Sequence, residues 1–488
     1  MAGSATFTLV AQAVRVAATM LLTVLVSRLL GPESLGLLTL GLTIATTATI
    51  VACAGVDQGV IYFVARAQPV TGAMAQPDGA AAAIRTALLI TAVGGAGLGA
   101  LGVLLAPWLA GDVLQAPELR PILLILAAAV PLACVFAAAL GALQGSFRIV
   151  QRAVVEWILF PVLTLVLAAG LLLRDGGIQG VAVAYVAAWT VSALVAVSAA
   201  LRIPGKTRPL IVRPLLAFSL PLMFSLLTGY LLFHIDVLML GALASLREVG
   251  LYSVATRLAL PLFLVLDSVA RAFAPLAAHL YSHDQSRRLA TVYAAATEWV
   301  LAINVPAGVL IAVNAEPILA LFGQEFVAAA PALRVLSAGI VVATACGTAA
   351  SMLTMTRWQR LEMFDNLLLL SLNVVLNLML VPRFGALGAA AATASSAGAV
   401  YALKVVQARW LLGVQPFRWR QLATLALAGA CAALAWAATW PFALASTTAL
   451  AARVGVFAAS YVVLWWRWGV SPSSREVLQA IVGRNRSA

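Results

Sequence analysis

Charge is what this chain of 488 residues has least of, since only 10% of its residues are charged. Acidic residues are the scarcer kind, with 17 Asp and Glu against 30 Lys and Arg. A globular domain in water has about a quarter of its residues charged, so this composition excludes an ordinary soluble fold. The hydrophobic share of 63% and the mean hydropathy of +1.04 agree with that exclusion. We therefore predict a protein that resides in a membrane.

Cysteine is scarce as well, and its placement is uninformative for chemistry. The four cysteines stand in different apolar segments without paired spacing, which favours small core residues over a metal site or a disulfide framework. No cofactor is predicted. The first twenty residues lack a basic n-region and an evident cleavage site, so we expect a retained first helix and no signal peptide.

Long apolar segments occupy almost all of the sequence. By our count there are roughly fourteen segments of about 20 residues, each long enough to cross about 30 Å of hydrocarbon. The connections between them are short. The predicted fold is therefore an all-α polytopic membrane protein of about fourteen transmembrane helices.

The net charge of +13 might suggest a nucleic-acid partner, but the basic residues sort by loop parity. This is the positive-inside asymmetry, which favours a membrane orientation over nucleic-acid binding and predicts that both termini are cytoplasmic. The cytoplasmic side holds Arg66, Arg85, Arg148, Arg152, Arg202, Lys206, Arg208, Arg213, Arg287, Arg288, Arg357, Arg360, Lys404, Arg409, Arg418, Arg420, Arg467, Arg475, Arg484 and Arg486. The other side holds Arg28, Arg120, Arg174, Arg247 and Arg383.

One corner of the chain occurs twice. Residues 25–66 contain the corner Gly31-Pro32-Glu33, which closes on Gly36-Leu37. A looser copy follows about two hundred residues later, at 237–258, where Glu248 and Gly250-Leu251 correspond to Glu33 and Gly36-Leu37. A feature that returns at a long interval indicates internal duplication.

The duplication predicts the domain organisation. Six spans separate the two corners, and an even number gives both copies the same orientation in the membrane. We therefore expect two six-helix lobes related by a pseudo-twofold axis along the membrane normal, with a cleft between them. The predicted boundaries are 1–203 for the N-terminal lobe, 204–412 for the C-terminal lobe, and 413–488 for two additional helices and a basic cytoplasmic tail.

Polar side chains form stripes on several predicted spans. A polar residue facing lipid is costly, so such residues usually face the bundle interior or water. Residues three or four apart share one face of a helix. An alternative stays open, because Thr and Ser can bond their own helix and Asn can serve helix packing. We predict as cavity-lining Thr8, Gln12, Thr19, Thr23, Thr39, Thr43, Asn373 and Asn377.

Two arginines lie well inside predicted spans, one in each repeat. Arg15 belongs to the stripe of the first helix, and Arg257 lies on the polar face of the eighth. An intramembrane charge is expensive to keep, so we predict a cationic cavity that binds an anionic substrate. A structural bond to backbone carbonyls is the alternative for both.

Four further charged residues are candidates for a gate or for ion coupling. Asp267 and Arg271 are placed to pair at i and i+4, either structurally or as a gate. Asp57 and Asp236 stand near span ends, where capping or locking of the corner competes with a coupling role.

Two motifs carry a family resemblance. The corner R-L-L-G-P-E-x-x-G-L begins at Arg28, and its following helix ends in Tyr62-Phe63-Val64-Ala65-Arg66. The second copy reads Glu248-Val249-Gly250-Leu251-Tyr252. Together they resemble the polysaccharide flippases of the multidrug, oligosaccharidyl-lipid and polysaccharide (MOP) exporter superfamily.

That resemblance implies a function and its partners. It implies a V-shaped pair of lobes working by alternating access in the bacterial cytoplasmic membrane. The cargo would be an undecaprenyl-diphosphate-linked oligosaccharide, moved from the inner to the outer leaflet for surface polysaccharide synthesis. Membrane lipid and polysaccharide assembly enzymes would be partners, with H⁺ or Na⁺ as candidate coupling ions.

Three other functions are weighed against this one. A multidrug cation antiporter of the same superfamily should carry an acidic site, whereas the first helix has Arg15 and no carboxylate. A peptidoglycan lipid-precursor flippase stays open, because it too would need a cationic cavity. A membrane-embedded glycan polymerase or ligase would need a larger external loop and paired carboxylates, so we predict a transporter and not an enzyme.

Overall fold

The described part of the chain is built of helices. The computed structural model describes residues 2–67, 78–204, 211–417, 421–439 and 447–465. Within the first compact unit, Met1–Gly250, the helices are α1 (Ala2–Cys53), α2 (Val56–Arg66), α3 (Asp78–Trp108), α4 (Leu119–Gly145), α5 (Ile149–Ala153), α6 (Phe160–Leu172), α7 (Gly177–Leu201) and α8 (Val212–Leu243), with π-helical turns at Leu109–Val113 and Val154–Leu159.

The second compact unit, Leu251–Ala488, takes up the chain within α9. Its helices are α9 (Leu246–Ala259), α10 (Pro261–Ser282), α11 (Ser286–Val313), α12 (Ala315–Ala320), α13 (Ala330–Met355), α14 (Gln359–Leu412), α15 (Gln421–Thr439) and α16 (Thr447–Leu464), with a 3₁₀ turn at Gln324–Ala329. The lobe boundaries predicted from the repeat, 1–203 and 204–412, stay predictions.

Ten helical segments among the described residues are long and apolar enough to cross a membrane. Two of them, Val10–Cys53 and Gln359–Leu412, have 44 and 54 residues and are each broken at a glycine. Each of these therefore supplies two crossings. The ten segments thus account for twelve crossings, and the shorter apolar helices Ala426–Ala435 and Ala452–Leu464 lie where the last two of about fourteen are predicted.

The break in α1 follows from its local sequence. Gly31 has φ 78° and ψ −179°, a conformation open to glycine and strained for other residues. Pro32 comes next, and a residue before proline is pushed out of the α region. Proline is in turn well suited to the first position of a new helix. The corner found in the sequence is thus a tight turn between two spans.

Small residues allow close packing inside the first unit. α4 packs against α1, α2, α3 and α7. Gly141 and Gly145 of α4 face the backbone carbonyls of Asp57 and Ile61 on α2, where a side chain would collide. Absence of a Cβ at these two positions lets the two helices approach at backbone distance.

In the second unit α13 packs between α11 and α14. The last two described helices pack against α11. α15 lies directly on α11, and the Tyr461 hydroxyl of α16 donates to the Ala302 carbonyl of α11 over 2.9 Å. The interface is completed by buried apolar side chains, among them Cys431 and Phe457. All four cysteines of the chain are buried and free, as expected of core residues.

The orientation in the membrane is a prediction that labelling can test. Of the basic residues that carry it, Lys206, Arg208, Arg418, Arg420 and those after Trp465 lie outside the described residues. We expect single cysteines introduced at Lys206 and at Gln115 to react with an impermeant thiol reagent from opposite sides of the membrane, because the loop charges place the first inside. Labelling of both from one side would contradict the predicted N-in, C-in topology.

Candidate functional site

The polar stripe of α1 divides into two parts. Gln12 and Arg15 are exposed, whereas Thr8 and Thr19 are half-buried and Thr23 is buried. Thr19 Oγ1 donates to the Arg15 carbonyl and Thr23 Oγ1 to the Thr19 carbonyl, each over 2.8 Å. These two hydroxyls are therefore satisfied by their own helix. Gln12 and Arg15, three residues apart on one face, present their side chains outward.

The threonines after the corner lie where α8 packs. Thr43 is buried, and its hydroxyl donates to the Thr39 carbonyl over 2.8 Å. The Tyr230 hydroxyl of α8 interacts with the side chains of Thr46 and Thr43. The Tyr230 ring stacks on His234 with 4.0 Å between centroids and 8° between planes. Thr43 thus belongs to a polar contact between α1 and α8, which are packed together.

The two copies of the corner touch each other. A Cβ on Gly36 would fall on the Leu246 carbonyl oxygen, and a Cβ on Gly250 would fall on the Pro32 carbonyl oxygen. Each glycine thus meets the residue four positions before the other glycine. A residue without a Cβ at each of these two positions allows the two backbones to approach closely. That the two corners would be each other's partner was not predicted.

α8 meets the preceding helices near both of its ends. At one end Gly55 and Gly59 contact the Ser219 region, and Phe218 stacks on Tyr62 with 4.5 Å between ring centroids. At the other end Gly241 contacts Leu40 of α1. Between these contacts Phe224 is 64% exposed, whereas Tyr230 is half-buried and contacts α1. The middle of α8 is therefore packed on α1 at Tyr230 and exposed at Phe224.

Arg257 and the Asp267–Arg271 pair lie on either side of a helix break. Arg257 is in the last turn of α9, half-buried and engaged with neighbouring groups, just before the junction at Pro261. A cation is favoured at a helix C-terminus. Arg271 Nη2 lies 2.6 Å from Asp267 Oδ2, and these side chains are 78% and 55% exposed. The predicted i, i+4 pair forms, while its role as a gate stays a prediction.

Asn373 and Asn377 are buried in the hairpin of α14. Asn377 Nδ2 donates to Asn373 Oδ1 over 2.9 Å, and Asn373 Nδ2 lies 3.4 Å from Thr393 Oγ1 in the second half of α14. The Tyr252 hydroxyl of α9 is 3.3 Å from that same Thr393 oxygen. These contacts support the packing alternative for both asparagines. Their contact with a cargo stays a prediction.

The two remaining aspartates stand at different depths. Asp57 is half-buried in the first turn of α2, where a negative charge is favoured, and accepts from Gln58 Nε2 over 3.0 Å. Asp236 is buried within α8 and engaged with neighbouring groups. Both positions fit a structural role, either capping a helix or locking the corner. A coupling role for either aspartate is still a prediction.

A buried charged cluster in α14 was missed. Lys404, which the loop-charge pattern places in a cytoplasmic loop, is instead fully buried inside α14 and donates to Glu362 Oε1 over 2.7 Å and Asn366 Oδ1 over 3.0 Å. Gln407 Nε2 donates to Asp365 Oδ1 over 2.9 Å. A lysine inside an apolar segment was the available signal. Among the described residues, no group of three or more His, Cys, Asp or Glu is placed to hold a metal ion.

The chain is similar to known protein families in sequence and to known proteins in structure. The family model described as "Polysaccharide biosynthesis protein" matches residues 2–280, and the model described as "MatE" matches residues 221–379. Among curated proteins, none matches this sequence.

Several solved structures share the fold. A structure of the lipid II flippase MurJ in an inward closed conformation superposes with a TM-score of 0.71 at 11% identity, covering 96% of this chain and 99% of that one. An inward-facing multidrug resistance MATE family transporter gives a TM-score of 0.69 at 17% identity, covering 82% and 94%. A MOP superfamily transporter from Pyrococcus furiosus gives 0.58 at 18% identity, covering 83% and 94%.

The sequence match spans more than half of the chain, from the first corner through the second and into α10. The structural matches at these identities show the fold. The chain therefore belongs to the polysaccharide biosynthesis protein family.

Proposed function

We propose that this protein flips an undecaprenyl-diphosphate-linked oligosaccharide from the inner to the outer leaflet of the bacterial cytoplasmic membrane. The observation that carries the proposal is the polysaccharide biosynthesis match over residues 2–280, in which the first span, before the break at Gly31, has the exposed Arg15 and no carboxylate. The transport would proceed by alternating access, as one step in surface polysaccharide assembly. The assembly enzymes that make and use the lipid-linked sugar would be its partners.

The chemistry of this cargo explains why a polar path is needed. An uncompensated hydroxyl taken into hydrocarbon costs about 4–8 kcal/mol, so a head group of several sugars would cost tens. Protein groups must replace water around the sugars while the polyprenyl tail stays in lipid. Exposed polar side chains of α1, such as Gln12, are the groups proposed to do this.

The diphosphate requires a different partner from the sugars. It is an anion, and the guanidinium fork of arginine matches phosphate geometry with two parallel hydrogen bonds. Arg15 is exposed on α1, and Arg257 stands at the C-terminal end of α9. We assign both to binding the diphosphate. Asp267, Arg271, Asp57 and Asp236 are the remaining charged candidates for gating or ion coupling.

One rival cargo has a specific observation in its favour. The lipid II flippase MurJ matches 96% of this chain, which supports a peptidoglycan lipid precursor as the second candidate. A multidrug cation is less suited, because cationic cargo would meet Arg15 on the first helix. A glycan polymerase or ligase is disfavoured by the structural neighbours, which are transporters and flippases.

The test is transport by the purified full-length chain in liposomes. Three fluorescent cargoes are compared in matched vesicles: a polyprenyl-diphosphate oligosaccharide, lipid II and a cationic dye. We expect flipping of the first, measured as its exposure to an impermeant quencher. Flipping of lipid II alone would establish the second candidate, and movement of the dye alone would contradict both flippase assignments. Empty vesicles and heat-denatured protein are the controls.

A further inference from the structure

Two aromatic rings are stacked where α2 meets the beginning of α8. The centres of the Tyr62 and Phe218 rings are 4.5 Å apart, with 16° between the ring planes. Phe63 stands edge-on to both rings, at 5.4 Å from the first and 5.9 Å from the second. Tyr62 is nevertheless 44% exposed and Phe218 is 38% exposed. Rings that served only to pack two helices together would be buried, so this pair keeps aromatic surface available to a ligand.

The stack is supported by a close contact between the two helices. A Cβ on Gly59 of α2 would collide with the Ser219 side chain of α8, so the helices approach at backbone distance. One side of α2, formed by Val56, Val60 and Val64, is buried in the core of the first unit. The rings are therefore held in place before any ligand arrives, which lowers the entropic cost of binding.

The opposite side of α2 is polar. Gln58, Tyr62 and Arg66 are each four residues apart, so they follow one another along one face of the helix. Arg66 is exposed and Gln58 is half-buried. The Gln58 amide is oriented by Asp57, whose Oδ2 accepts from Nε2 over 3.0 Å. The Tyr62 ring thus lies between an amide and a guanidinium, which are groups that face water or a polar ligand in preference to hydrocarbon.

The lengths of the helices place these residues near the membrane surface. α2 has 11 residues, follows the candidate span Val10–Cys53 and is too short to cross by itself. α8 has 32 residues. That is about 48 Å of helix against about 30 Å of hydrocarbon, so the first turns of α8, which include Phe218, can extend beyond the hydrocarbon. Arg66 and Arg213, near these turns, belong to the loop charges that predict the cytoplasmic side.

We propose that Gln58, Tyr62, Arg66 and Phe218 form a carbohydrate-binding site that receives a sugar of the lipid-linked oligosaccharide on the cytoplasmic side. One face of a pyranose ring consists of C–H groups, which are slightly positive and pack on the negative face of an aromatic ring. The sugar hydroxyls donate and accept hydrogen bonds, as the Gln58 amide does, and Arg66 donates to oxygen. Assignment of this sugar to the transported cargo rests on the proposed function.

This carbohydrate-binding site acts on a different part of the cargo from Arg15 and Arg257, which are assigned to the diphosphate. Its ring stack offers nothing to a lipid diphosphate that carries no sugar. Stacking also tolerates changes of sugar, because a face of C–H groups is common to many pyranoses. The site should therefore add affinity for sugar-bearing lipids as a class and leave binding of the sugar-free lipid unchanged.

The test compares two probes on purified full-length protein in detergent: undecaprenyl diphosphate that carries an oligosaccharide, and undecaprenyl diphosphate alone. Tyr62→Leu removes the ring from the stack. We expect it to raise the dissociation constant of the sugar-bearing probe about three- to tenfold, the range for loss of an aromatic contact, and to bind the sugar-free probe like the wild type. Tyr62→Phe keeps the ring and should bind both probes like the wild type.

Two further variants make the result specific. Gln58→Ala leaves both rings in place and should also weaken binding of the sugar-bearing probe alone; it decides the matter if Tyr62→Leu does not fold. Phe364→Leu removes a ring of α14 that is 60% exposed and is the matched control, expected to bind both probes like the wild type.

Three results would overturn the proposal: equal affinity of the wild type for the two probes, unchanged binding of the sugar-bearing probe by the folded variants, or equal weakening for both probes. Flipping in liposomes separates this site from the proposed function. A wild type that flips the oligosaccharide lipid while Tyr62→Leu and Gln58→Ala bind it normally refutes the site alone. A wild type that does not flip it, with the binding differences intact, refutes the proposed function alone.

Discussion

Arg15→Ala and Arg257→Ala are each expected to weaken binding of a polyprenyl-diphosphate oligosaccharide about ten- to a hundredfold. The reason is the loss of a charge-assisted hydrogen bond to the diphosphate, which is worth roughly 1.5–3 kcal/mol. Export should be nearly abolished while the amount of protein in the membrane stays normal. The measurement is binding to purified protein together with flipping in liposomes, for each single variant and for the double variant.

Two comparisons separate substrate binding from a structural role for these arginines. Arg15→Lys keeps the charge and loses the planar fork, so it should retain part of the activity. Arg174→Ala removes an exposed arginine beyond the end of α6 and should bind normally. Normal binding and flipping by the two alanine variants would show that neither arginine holds the diphosphate. Failure of those variants to accumulate would assign the arginines to folding instead.

Gly36→Ala and Gly250→Ala are expected to reduce sharply the amount of folded protein. The new Cβ at Gly36 would lie 2.9 Å from the Leu246 carbonyl carbon, and that at Gly250 would lie 2.7 Å from the Pro32 carbonyl carbon. Both neighbours are backbone atoms, which cannot rotate away as a side chain would. Overpacking of this kind costs typically about 1–3 kcal/mol, and more where backbone must shift. Size-exclusion chromatography of detergent-extracted protein gives the folded fraction.

The matched control is Gly97→Ala on α3, where an added Cβ meets open space. An alanine there should be neutral or slightly stabilising, by up to about 1 kcal/mol, because alanine favours the helix. Gly36→Leu should be worse than Gly36→Ala. If Gly36→Ala and Gly250→Ala extract and unfold like Gly97→Ala, the contact between the two corners contributes nothing to stability.

Helical spans were predictable from sequence because apolar length is a local property. The corner at Gly31-Pro32 was also readable, since glycine and proline restrict the backbone without help from distant residues. The threonine stripes show the limit of periodicity. Spacing places Thr19 and Thr23 on one helix face, but the side-chain rotamer decides whether a hydroxyl faces a cavity or donates to the carbonyl four residues earlier. Both threonine hydroxyls donate to that carbonyl.

The charged cluster of α14 could not be predicted from the sequence, for a different reason. Lys404 and Glu362 are 42 residues apart, as are Gln407 and Asp365, and the hairpin fold alone brings them together. Counted as a loop charge, Lys404 supported the topology and needed no partner. Because Lys404 is buried, its ammonium requires hydrogen-bond acceptors inside the protein. Glu362 and Asn366 are those acceptors. A lysine within an apolar segment is thus a reason to search the neighbouring span for a carboxylate.

The contact between the corners has the form of an isologous interface. Gly36 meets the residue four before Gly250, and Gly250 meets the residue four before Gly36, as in a symmetric homodimer where residue i touches j and j touches i. A fragment carrying only the first corner would therefore present a self-complementary surface. Such a half-length chain would be expected to associate with a second copy of itself through Pro32 and Gly36. Because both corners belong to one chain here, the same contact is intramolecular, and the effective concentration of one corner around the other is high.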